Sequence, residues 1–110
     1  MDDNKELKEE MQLTGFNIIA IVGSAKSSFM EAVALARDGE IDPAKAKIEE
    51  GESYFAEAHH QHADLIQKEA QGVDLPFSLI LMHAEDQLLT TEVIKFMALE
   101  LIEIYSRLKL

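Results

Sequence analysis

Leu79, Met82, Asp86, Leu89, Val93 and Phe96 step by 3, 4, 3, 4 and 3 residues, which puts all six on one stripe of a helix. A second apolar set in the same segment falls on another face: Ile80, Ala84, Leu88, Ile94, Ala98, Leu101 and Tyr105. A helix with two apolar faces needs two partners, one within its own subunit and one outside it. The spacing therefore predicts a helical protein that assembles with copies of itself. Asp86 is the polar member of the first stripe. A carboxylate in an apolar seam is costly unless something pairs with it.

Turn signals divide the rest of the chain. Met11, Ile18, Val22, Ala25, Phe29, Ala32 and Ala36 keep helical spacing from about Asn4 to Asp38, and Gly39 fits the left-handed residue that ends a helix. Gly15 and Gly23 inside this segment point to a bend or a close helix contact. Asp42 is read as the N-cap of a second helix, with Pro43 at its first helical position. Its inward stripe is Ala44, Ile48, Gly51, Phe55, Ala58, His62 and Leu65, and Gly72 closes it. Asp74 and Pro76 mark the start of a third helix that runs to near Lys109. No strand-like alternation is sustained. The fold class is thus all-α: residues 1–110 form one domain, an up-down-up antiparallel three-helix bundle.

The balance of charge narrows the partners. A formal net charge of −11 repels phosphate backbones, which argues against nucleic acid and would steer a basic partner. With no cysteine, disulfides, thiolate catalysis and cysteine–zinc sites are excluded, and a reducing cytosol suits such a chain. No apolar run reaches about 18 residues, so no membrane insertion is expected, and the acidic start Met1-Asp2-Asp3-Asn4 does not read as a signal peptide.

Three polar features carry candidate chemistry. His83 is either a hydrogen-bonded helix histidine or a nucleophile, since imidazole is available in neutral form near pH 7. Ala84 beside it leaves the site open, and Asp86 and Gln87 project to the same side. Asp86 is a protonated acid, a polar register device or a metal ligand. In a trimer its three copies would meet on the axis, where carboxylates suit a hard divalent cation such as magnesium. His59, His60 and His62 have poor spacing for one metal ion. His62 falls on the inward stripe, where a satisfied core histidine is expected, and Glu49, Glu50 and Glu52 read as a solvated face.

The segment Leu81-Met82-His83-Ala84-Glu85-Asp86-Gln87-Leu88-Leu89-Thr90-Thr91 resembles the active-site helix of the lactose/cellobiose-type enzyme IIA of the bacterial sugar phosphotransferase system. Leu13-Thr14-Gly15-Phe16, Ala25-Lys26-Ser27, Ala56-Glu57-Ala58-His59 and Leu101-Ile102-Glu103-Ile104-Tyr105 match family-like segments in order. The resemblance implies a homotrimer of three-helix subunits, a nine-helix bundle. It implies a cytoplasmic phosphocarrier that takes a phosphoryl group from HPr on His83 and passes it to a cysteine of enzyme IIB. The sugar, a β-linked disaccharide such as lactose, cellobiose or chitobiose, is then phosphorylated as the membrane component, enzyme IIC, imports it. The family's axial metal-binding aspartate matches Asp86, which implies magnesium or another divalent cation there.

Two positions depart from the family pattern. Glu85 stands where the family usually has glutamine, and Gln87 where it often has a second histidine. Both are supporting residues of the site in this reading. A carboxylate repels a phosphoryl group where an amide would donate to it. The alternative reading is therefore a trimeric regulatory or interaction module of the same fold without phosphotransfer. The sequence does not identify the disaccharide.

Overall fold

The computed structural model describes residues 2–108, which form three helices: α1 (Asp2–Arg37), α2 (Ile41–Ala70) and α3 (Leu79–Arg107). Lys109, where the apolar spacing ends the third helix, lies outside the described residues. α2 and α3 both pack along α1 and touch each other little. The rod measures 64 × 21 × 18 Å.

Both turns close in the same way. Gly39 has φ +85° and Gly72 has φ +97°, the left-handed region that costs glycine least. In the first turn Glu40 N–H donates to Leu35 O at 2.8 Å and Gly39 N–H to Ala36 O at 3.0 Å. In the second, Val73 N–H donates to Lys68 O at 3.1 Å and Gly72 N–H to Glu69 O at 3.0 Å. Each is the paired Schellman arrangement that satisfies the last carbonyls of a helix.

Two helix starts differ from the sequence reading. Asp42 is not the N-cap of α2: Glu40 holds that place without a side-chain bond, and Asp42 sits in the first turn. The Schellman turn delivers the chain directly into the new helix, with Ala44 N–H already bonded to Glu40 O at 3.0 Å. Asp74 and Pro76 do not begin α3. Residues 73–78 lack regular structure, and Ser78 is the cap, its Oγ accepting from Leu81 N–H at 3.2 Å. Pro76 keeps Leu75 out of the helical region, which delays the start.

The expected α1 stripe is the core. Met11, Ile18, Val22, Ala25, Phe29, Ala32 and Ala36 are all buried. Contrary to the membrane expectation, α1 is long and apolar enough to cross a bilayer by composition alone, with a window of mean hydropathy 1.5. Its stripe is spent on packing against α2 and α3. Two glycines make that packing tight. A Cβ on Gly51 would lie 2.5 Å from the Phe29 ring, and one on Gly15 would lie 2.9 Å from Ile80 Cγ2 and 3.1 Å from Leu81 N. Gly15 thus brings α1 against the first turn of α3. The acids on α2 are only partly a solvated face. Lys47 bridges Glu31 at 3.1 Å and Glu50 at 3.0 Å, and Glu52 lies 3.5 Å from Lys95 on α3.

Thr91 is fully buried on α3, and its Oγ1 has no hydrogen-bond partner among the described residues. An unpaired buried hydroxyl costs about 1–3 kcal/mol. Thr91→Val keeps the branched shape and removes the hydroxyl, so it should stabilise the subunit by roughly 1 kcal/mol. A thermal melt that moves down instead would show that the hydroxyl is satisfied in solution.

Candidate functional site

α3 sorts its residues by face. Ala84, Leu88, Thr91, Ala98 and Ile102 are buried against the bundle. On the other side Leu79, Met82, Leu89, Val93 and Phe96 are 50–70% exposed, and Asp86 is exposed among them. The subunit therefore leaves the whole Asp86 stripe uncovered. The apolar surface continues into a groove of about 360 Å³ between α1 and α3, bordered by Met30, Val33, Val93 and Met97.

His83 is exposed on the second turn of α3. The helix there is anchored by the Ser78 cap, by the close approach at Gly15, and by Ala84. Ala84 is fully buried with Ile18, Val22, Ala58 and Leu88. Its small side chain therefore seats α3 on the core instead of clearing space around the imidazole. Asp86 and Gln87 follow His83 by three and four residues, so they share its side of the helix. Thr90 closes that face by donating to Asp86 O at 3.0 Å and Gln87 O at 3.2 Å. The Asp86 carboxylate makes no salt bridge among the described residues.

Glu85 goes elsewhere. Its Oε2 lies 2.8 Å from His62 Nε2, across the α2–α3 interface. A carboxylate accepts only, so Nε2 carries the hydrogen. The pair lines a small cleft of about 170 Å³ with Leu65, Leu75 and Leu81. His62 is thus the satisfied inward histidine of the sequence reading, with a partner that spacing alone does not reveal. Two residues along a helix turn about 200°, so Glu85 and His83 leave α3 on nearly opposite sides. Sequence order makes them neighbours; the fold does not bring them together.

The other histidines diverge. His59 stacks on Phe55 with ring centroids 6.4 Å apart, and His60 Nε2 lies 3.8 Å from Asp64 Oδ2 at an exposed edge. Among the described residues no group of three or more His, Asp or Glu converges within the subunit. One subunit offers a cation one carboxylate at Asp86. A hard-oxygen donor without an ion-pair partner fits such an ion only when other copies contribute theirs.

The model of a family described as "PTS system, Lactose/Cellobiose specific IIA subunit" matches residues 13–106. The lactose-specific EIIA component of Staphylococcus aureus is 45% identical over 100 residues, covering 91% of this chain and 97% of that protein. The lichenan-specific phosphotransferase enzyme IIA component of Bacillus subtilis is 37% identical over 102 residues, 93% of each chain. The crystal structure of the cellobiose-specific enzyme IIA from Bacillus anthracis superposes with a TM-score of 0.85 at 33% identity, over 88% of this chain and 89% of that one. Fold and sequence together place the chain among the helical components of the sugar phosphotransferase system. Within that class, it belongs to the lactose/cellobiose-specific enzyme IIA family.

Proposed function

We propose that the chain is a phosphocarrier that receives a phosphoryl group from phospho-HPr on His83 and hands it to the cysteine of enzyme IIB. The observation that carries this reading is the placement of His83, exposed on a helix whose opposite face is locked into the core. A neutral ring nitrogen attacks the phosphorus of the donor's phosphohistidine. The new P–N bond forms as the old one breaks, and the released electron pair returns to the donor's imidazole. Gln87 lies one helical turn away, where its amide can donate to a phosphoryl oxygen. In the second transfer the thiolate of enzyme IIB attacks the same phosphorus, and His83 leaves as neutral imidazole. Enzyme IIC takes part only indirectly, by importing the sugar that enzyme IIB phosphorylates. Relatives named for lactose, lichenan and cellobiose support a β-linked disaccharide as that sugar. The working compartment is the cytoplasm.

The carrier works as a homotrimer whose subunits meet through the Asp86 stripe. That face exposes five large apolar side chains of α3, and a lone bundle does not cover it. Asp86 from each subunit would hold magnesium or another divalent cation at the axis. When bound, that ion neutralises the gathered carboxylates.

Incubation with phosphoenolpyruvate and the general donors, read by intact mass, tests the transfer. One phosphoryl group per subunit is expected, and an unmodified mass would leave the regulatory module as the better reading. Sedimentation equilibrium should give three times the 12.3 kDa subunit mass. A monomer at micromolar concentration would remove the trimer.

A further inference from the structure

The phosphoryl route makes no use of a polar cleft between α1 and α2. We infer that this cleft is a binding site for a neutral saccharide, separate from the phosphoryl site. Its volume is about 420 Å³, within the roughly 300–1,000 Å³ of small-molecule sites. All of its lining residues come from α1 and α2. His83 and the Asp86 stripe, both on α3, lie outside it.

Two independent observations mark it as a site. The first is Gly23. Glycine weakens a helix interior relative to alanine, and here the fold gains nothing from it. Gly23 has no positive φ, and a Cβ there would meet no atom within 4 Å. Gly15 and Gly51 each carry a close contact, whereas Gly23 lies open on the cleft beside Ala20, Ser24 and Ser27. This bare strip of α1 hollows the surface. The second observation is Ser28. It is only 5% exposed, it borders the cleft, and its hydroxyl makes no hydrogen bond among the described residues. Unlike Thr91 Oγ1, its Oγ is not sealed inside the bundle. A sheltered hydroxyl without a partner is costly, and a ligand in the cleft supplies the partner.

The polar groups around the cleft select the ligand. Lys47 sits at its edge, with Nζ 3.1 Å from Glu31 and 3.0 Å from Glu50. The hydrogen bonds to Glu50 and Glu31 hold its ammonium above the ordinary lysine range. Two carboxylates outweigh one ammonium, so the cleft disfavours a phosphate or carboxylate ligand. The ammonium already takes the place between the carboxylates where a cation would sit. A neutral molecule rich in hydroxyls fits what remains, since each hydroxyl both donates and accepts. It can donate to the carboxylates of Glu31 and Glu50, and accept from Lys47 and Ser28. Tyr54 adds an exposed aromatic ring with a polar tip, suited to the mixed surface of a pyranose.

The test uses the full chain, isotope-labelled and titrated with cellobiose and with lactose in heteronuclear correlation spectra. Saturable shifts in the millimolar range are expected at the backbone amides of residues 23–31 and 47–54. Glucose 6-phosphate, which adds a dianion to similar hydroxyls, should bind more weakly. Ser28→Ala should weaken saccharide binding roughly fivefold, the effect of one lost neutral hydrogen bond. Gly23→Leu fills the cleft from a position where the subunit leaves space. It should abolish binding and raise the melting temperature, because leucine favours the helix. Wild-type shifts that are absent, or that map elsewhere, overturn the inference. So does full affinity in Ser28→Ala or in Gly23→Leu. A change of oligomeric state in Gly23→Leu overturns it too, since that marks the small residues as a contact between protein surfaces. None of these readouts involves phosphoryl transfer, so the inference stands or falls apart from the phosphocarrier reading.

Discussion

His83→Ala should abolish phosphoryl acceptance altogether, with the melting temperature close to that of wild type. The two halves of this expectation have separate causes. His83 is exposed, and the residues that seat its turn are Gly15, Ser78 and Ala84, so removing the imidazole leaves the packing intact. Substitutions at such surface positions usually change stability by less than about 0.5 kcal/mol. The chemistry has no substitute. His62 is tied to Glu85, while His59 and His60 lie on α2 against Phe55 and Asp64. Intact mass after incubation with the donors reads the result, and the label in wild type should be acid-labile. A phosphoryl group that persists in His83→Ala, or that maps to His59, His60 or His62, would show that the acceptor lies on α2.

Asp86→Leu should raise the melting temperature measured in chelator and should leave the trimer intact. In the proposed assembly three copies of Asp86 face one another. At a separation of 4 Å and an effective dielectric of 20, each pair of unit charges repels by roughly 4 kcal/mol. A cation or protons on some of the carboxylates must offset this. Leucine continues the apolar stripe of Met82, Leu89 and Val93, and replacing a buried charge by a packed apolar group is often neutral or stabilising. Wild type should lose stability when divalent ions are chelated, and the leucine variant should not respond. Dissociation of the Asp86→Leu trimer, together with a wild type indifferent to chelator, would place Asp86 off the axis.

Most of the fold is legible in the spacing of apolar residues. Every member of the expected α1 stripe is buried, because a helix of that length can hide its apolar residues only on one face. Gly39 and Gly72 end their helices as read, because both positions need a positive φ. The helix starts were less legible. Acidic and proline residues favour several positions near an N-terminus, and the choice between Asp42 and Glu40, or between Asp74 and Ser78, depends on how the preceding turn delivers the chain. On the inner face of α3 the spacing finds Ala84, Leu88 and Ala98, while its other members Ile80, Ile94, Leu101 and Tyr105 are only half-buried and the buried Thr91 and Ile102 are not among them. A threonine gives no apolar signal in the sequence even where the fold buries it.

The site divides along the same line. His83, Asp86 and Gln87 sit three and four residues apart on one helix, so helical geometry alone puts them on one side. The exposed stripe from Leu79 to Phe96 is likewise a property of local spacing, and the subunit leaves it open as the two-faced pattern requires. What α1 and α2 bring to α3 was decided only by the tertiary structure. Gly15 against Leu81 and His62 against Glu85 join residues far apart in the chain, and no periodicity encodes which pairs will meet. The same packing gave Ala84 to the core and gave Glu85 a partner on α2. Local order along the chain sets which side of a helix a residue occupies. Which neighbour waits on that side depends on how the three helices pack.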